Sequence, residues 1–305
     1  MKKFLSAIFA SALLATTAMA QVNPCDVDFN GEVNSADVVA IYNNIITGAV
    51  PTKPTPPTPK TYTAKGVSFK MVPVKAGTFM MGDDSLWDTE KPIHQVTLTN
   101  DYYIGQTEVT QALWEAVVGK ESNNSNPKDP DCPVNKVTWG QAAVFCLALN
   151  SLLKDQLPEG MIFRFPTEAE WEYAARGGNM SRGYCYSGSD NVYEVAWCSE
   201  LCVSPREARK VGQRVANELG LYDMSGNVSE WCMDYYGAYS SGAQTNPTGP
   251  STGENKILRG GCYNEGQSKL IIGFYPSLTV ASRNWADMNS SSGTWGFRLV
   301  LGKSL

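Results

Sequence analysis

Phe165-Pro166-Thr167-Glu168-Ala169-Glu170-Trp171-Glu172-Tyr173-Ala174-Ala175-Arg176-Gly177-Gly178 is the stretch from which the fold is read. Thr167 followed three residues later by Glu170 is a capping box, and it opens a helix over residues 171–176. Glu168, Glu170 and Glu172 have the look of an acid/base set. Carboxylates in a first helical turn more often serve the cap and the helix dipole, and they are read so here. Upstream, apolar residues at 142, 145, 146, 149, 152 and 153 mark one face of a helix over 141–153, while 67–74 and 78–81 read as short strands. Regular structure is otherwise sparse across residues 66–305, a length sufficient for one sizeable core.

The front of the chain sets the compartment. Met1-Lys2-Lys3, an apolar run over 4–15 and Ala18-Met19-Ala20 before Gln21 make residues 1–20 a signal peptide, so the mature protein is expected to be secreted or periplasmic. No stretch is apolar for long enough to span a membrane. Without residues 1–20, which hold two lysines and no acid, 23 bases face 30 acids and the net charge is about −7. A nucleic-acid partner is not expected for so acidic a chain.

Residues 26–37, Asp26-Val27-Asp28-Phe29-Asn30-Gly31-Glu32-Val33-Asn34-Ser35-Ala36-Asp37, scan as a twelve-residue calcium loop. Asp26, Asp28, Asn30 and Asp37 supply side-chain oxygens, Glu32 a backbone carbonyl, and Gly31 the sharp turn. Residues 37–47 follow as a helix with Val38, Ile41 and Ile45 on an apolar stripe, ended by Gly48. The unit over 21–48 resembles one dockerin repeat, which implies a cohesin-like partner; dockerins usually carry two repeats and this chain has one. Residues 49–65, rich in proline and threonine, read as a semi-rigid spacer.

Eight cysteines in an exported chain suggest disulfides, with the pairing open. Cys198 and Cys202 are spaced to close a local loop, whereas Cys146 sits on an apolar helix face and reads equally well as a small buried hydrophobe. His94 is the only histidine, which removes His-rich metal sites, the Ser/His/Asp triad and the Cys/His dyad together. It reads as a structural hydrogen-bonder entering a strand.

The opening stretch, taken with Gly77-Thr78-Phe79-Met80-Met81-Gly82, Tyr103-Ile104-Gly105-Gln106-Thr107-Glu108-Val109-Thr110, Gly220-Leu221-Tyr222-Asp223-Met224-Ser225-Gly226-Asn227-Val228-Ser229-Glu230-Trp231, Leu258-Arg259-Gly260-Gly261 and Gly296-Phe297-Arg298-Leu299-Val300, resembles the formylglycine-generating enzyme family, the sulfatase-modifying factors. The resemblance implies an α+β fold low in regular structure and related to C-type lectins. It also implies structural calcium, with Asn227 and Glu230 either as ligands or as ties within a loop. The family's oxidases use copper and a cysteine pair shortly after Arg-Gly-Gly. Here that motif is followed by Cys262, where the family usually has serine, and Met288 is the only sulfur in residues 263–305. Soft Cu(I) needs thiolate or thioether donors, so copper is not expected.

The resemblance places residues 264–295 along the ligand groove. Their Tyr, Ser, Asn, Trp and Gly suit adaptable recognition. Asn264, Tyr275, Arg283, Trp285, Asp287 and Trp295 are the candidate contacts for a protein or glycan ligand, with the two tryptophans expected on loops. Two other functions stay open: an oxidase using Cys262 with Cys232, and a scaffold subunit tethered through residues 26–48.

Overall fold

The computed structural model describes residues 55–85, 87–267 and 274–305. The signal segment, the calcium loop with its helix and residues 49–54 of the spacer therefore lie outside the described residues.

Strand β1 (Lys60–Ala64) moves the expected spacer boundary at 65/66 towards the N terminus. Tyr62 and Ala64 are buried while Lys60, Thr61 and Thr63 face out, so half of the strand has the composition of the preceding tract. Lys65 and Gly66, at φ 45° and 87°, form the two-residue turn to β2 (Val67–Val74). Gly66 is thus the corner of a hairpin and not the start of a domain.

β1 and β2 continue through β5 (Tyr102–Gly105), β12 (Val300–Lys303) and β6 (Met161–Arg164) in a five-stranded antiparallel sheet. Side-chain alternation sends neighbours to opposite layers. Met71 and Leu301 pack with Trp114, Phe145 and Leu149 of helices α1 (Gln111–Val118) and α2 (Trp139–Leu153). Val72 and Val300 pack with Trp171 and Ala174 of α3 (Glu168–Ala175). The expected capping box of Thr167 with Glu170 is present on α3, and the structure adds a second, Thr138 with Gln141 on α2. The second one starts α2 before residue 141. Leu152, expected on the core face of that helix, is 40% exposed.

A second sheet runs β10 (Arg283–Asp287), β9 (Asn255–Arg259), β7 (Ser229–Tyr235), β11 (Trp295–Gly296), and a third joins β3 (Gly77–Met81), β4 (His94–Leu98) and β8 (Gln244–Thr245). Trp285 and Trp295 therefore lie on strands, where loops were expected.

The seven described cysteines are free thiols, which corrects the expectation of disulfides. Packing separates them: Cys146 belongs to the layer under α1 and α2, and Cys232 to the layer around Trp171. Cys202 N donates to Cys198 O at 3.0 Å, yet Cys198 packs beside Tyr186 and Val195 while Cys202 packs beside Ala208 and Tyr263. Among the described residues no helix is long and apolar enough to cross a membrane.

Candidate functional site

The carboxylates of α3 organise the region that the resemblance marks as a groove. Glu170 closes the cap and takes both ends of Arg164, at 2.7 and 2.8 Å. Glu168 holds Arg283 through Nε at 2.8 Å and Nη2 at 2.7 Å, and accepts from Tyr239 Oη at 3.1 Å. Arg283 Nη1 donates to Thr89 O at 3.0 Å and Gly237 O at 2.9 Å, so one guanidinium joins β10, α3 and two loops. Glu172 pairs with Arg176 and Arg259 and accepts from Gly82 N at 2.9 Å. Burial opposes the charge of Glu172, but the two arginines outweigh it and hold the carboxyl below its usual range. Arg259 in turn donates to Val280 O at 3.1 Å and Ala281 O at 2.6 Å, which fixes the segment before β10.

A groove of about 410 Å³ lies beside these anchors, lined among others by Trp87, Gly261, Glu265, Ser277, Asn284 and Trp285. Its backbone is close-packed: a Cβ on Gly261, at φ 65°, would meet Ser277 O at 2.4 Å. Trp285 is 37% exposed, with its ring stacked on Tyr236 at 3.9 Å between centroids. A separate cavity of about 300 Å³ is lined by His94, Glu168, Asp234 and Tyr239, and Arg283 lines both spaces. Burial, then the charge of Glu168, pushes Asp234 up to about 8. His94 starts β4 with Nδ1 3.0 Å from Pro92 O, in keeping with a structural role.

Of the residues singled out in the sequence, the structure brings Arg283 and Trp285 to the groove. Asn264 is exposed next to Glu265 but does not line it, and Asp287 is exposed at the end of β10, where it accepts from Asn289 N at 2.7 Å. Tyr275 belongs to the core and not to the groove: it is fully buried, and its hydroxyl pairs with that of Tyr193 at 2.9 Å. Trp295 is half-buried edge-on against Trp231, with centroids 5.4 Å apart. Arg283 is a buried anchor whose donors are taken by protein.

Trp87 and Glu265 were missed. Trp87 is 51% exposed in Asp83-Asp84-Ser85-Leu86-Trp87-Asp88-Thr89, and an aromatic in a mostly polar stretch is the same mark that drew attention to the C-terminal segment.

The residues do not fit the metals that the resemblance implies. Glu230 accepts from Arg298 Nε and Nη2, both at 2.6 Å, and from Trp171 Nε1 at 2.7 Å. Asn227 accepts from Arg209 N at 2.9 Å and donates to Arg209 O at 3.3 Å. These two side chains tie loops together and leave no free oxygen pair for calcium. A cysteine serves copper(I) as its thiolate. Burial, with the charge of Glu265, pushes the Cys262 thiol up to about 12, and burial also raises that of Cys232.

A family model for the sulfatase-modifying factor enzyme 1-like domain matches residues 57–303. The chain belongs to that family. It is 35% identical to the chaperone protein LppX of Paenibacillus barcinonensis over 240 residues, covering 64% of this chain and 79% of that protein. It is 27% identical to the formylglycine-generating enzyme of Bos taurus over 316 residues, covering 82% and 77%. Among solved structures, Treponema denticola variable protein 1 superposes with a TM-score of 0.69 at 29% identity, covering 80% of this chain and 99% of that one. In this sulfatase-modifying factor enzyme 1-like domain Gly261 and Glu265, at the end of Arg259-Gly260-Gly261 and just after it, line the groove, where the resemblance locates the oxidases' cysteine pair.

Proposed function

We propose that this chain is an exported, calcium-binding protein whose sulfatase-modifying factor enzyme 1-like domain is a non-catalytic receptor for a protein or glycan ligand. The observation that carries the reading is the wall of the groove. Trp87 and Trp285 present exposed rings beside Glu265 and Asn284, and no cysteine occurs in residues 263–305. Rigid aromatic rings supply contact area at low entropic cost, and the polar neighbours supply direction. The lectin-related reading of the fold agrees with a ligand held by loops and an edge strand. The chaperone relative supports a protein segment as the ligand. Calcium belongs to the front loop, with Asp26, Asp28, Asn30, Asp37 and the Glu32 carbonyl as its ligands.

The test is a glycan and peptide array probed with the full chain, run beside a formylglycine assay on a Cys-x-Pro-x-Arg peptide. Retention of an array ligand without conversion of the peptide supports the receptor. Conversion above a boiled control overturns it in favour of the oxidase, the second reading, which the 27% identity to the Bos taurus enzyme favours. A scaffold role through residues 26–48 and a cohesin-like partner is checked by pull-down with and without that segment.

A further inference from the structure

The described chain begins on a groove of its own. Residues Pro56, Pro57, Thr58 and Pro59 do not stand away from the domain: with Val215, Ala216, Leu219 and Tyr222 they line a space of about 500 Å³. A Cβ on Gly220 would lie 3.4 Å from Pro56, so the tract runs in contact with that loop. The opposite wall is built in advance. Val215 N donates to Glu194 O at 3.0 Å, Asn217 N to Leu221 O at 2.9 Å and Tyr222 N to Gln106 O at 2.9 Å. Within this fixed wall Val215 is still 50% exposed.

Charge separates this groove from the others. No charged residue lines it, whereas the ligand groove has Asp88, Glu265 and Arg283, and the smaller cavity has Glu168, Asp234 and Arg283. One segment of the same chain has the matching character. Residues 38–47, Val-Val-Ala-Ile-Tyr-Asn-Asn-Ile-Ile-Thr, contain no charge, and Val38, Ile41 and Ile45 recur at the spacing of one helix face. A single dockerin-like repeat has no second helix to cover that stripe. Only residues 48–55 separate it from Pro56, a tether that reaches at most about 29 Å when fully extended. A short tether gives the segment a high effective concentration at this groove relative to any free partner.

We propose that residues 37–47 dock into the groove between the proline tract and the 215–222 loop, with Val38, Ile41 and Ile45 against Val215, Ala216 and Tyr222. The front module then rides on the domain as a fixed appendage, and its apolar face is closed to other proteins.

The experiment is amide hydrogen exchange on the full chain and on its Ile41→Glu, Val215→Glu and Ile41→Glu/Val215→Lys variants. Val215 is half exposed, so its replacement leaves the domain folded. In the Ile41→Glu variant, amides within 215–222 are expected to exchange about tenfold faster, and in Val215→Glu those of 37–47 do the same. The charge-swapped pair restores part of the protection. Exchange in each segment that ignores the substitution in the other overturns the proposal. So does protection that grows with protein concentration, because a second copy then fills the groove.

Discussion

Arg283 and Glu168, 115 residues apart, meet through two hydrogen bonds of 2.8 and 2.7 Å, and both are almost fully buried. Removing one partner strands the other charge away from water, at a cost of about 3–5 kcal/mol. Glu168→Ala and Arg283→Ala are each expected to lower unfolding stability by about that amount, measured by urea titration. Lys75→Ala, which breaks the exposed pair with Asp101, is expected to leave the midpoint unchanged.

The two tryptophans proposed from sequence should behave differently. Trp285→Ala is expected to weaken an array ligand by about 2 kcal/mol or more with little change in melting temperature. Trp295→Ala removes a ring packed on Trp231 and is expected to lower the melting temperature without a selective effect on binding. Trp87→Ala should follow Trp285→Ala. Titration of the same ligand and thermal melts of the three variants decide this.

What the sequence revealed followed from local rules. The α3 capping box, β2 and most of α2 were legible because cap spacing and apolar periodicity are properties of neighbouring residues. β10 was not, since Asn284, Trp285 and Asp287 face outward or lie at the strand end and leave Arg283 as its buried residue. Composition drew Tyr275 and Trp285 alike to the groove, and composition carries no depth. The pairing of Glu168 with Arg283, and of Glu172 with Arg259, depends on distant segments meeting, which no local pattern encodes.

Asp234 gives the protein a pH-dependent stability of defined sign. Its folded-state pKa is raised from 3.8 to about 8, so folding favours the protonated acid. The resulting stability is complete below about pH 4 and is lost as pH rises through the interval to about 8. Glu90, raised by burial to about 7, acts in the same direction over a narrower interval. Asp234→Asn keeps an acceptor for Glu168 N and is expected to reduce this decline, as measured by melting temperature across the interval.

Calcium should bind the front loop once. Isothermal calorimetry on the full chain is expected to show a site that disappears in the Asp26→Ala/Asp28→Ala variant. Unchanged stoichiometry in that variant would place the ion elsewhere.

The position of β12 between β5 and β6 bears on how the chain is made. During synthesis β5 and β6 emerge long before residues 300–303, and until then each has an open edge with no strand to join them. The sheet that supports both core layers therefore closes only when the far end of the domain has been translated. Folding of this domain is an event that follows synthesis of its last strand, and loss of only residues 300–303 would reduce the sheet to β1, β2 and β5 and leave β6 unpaired.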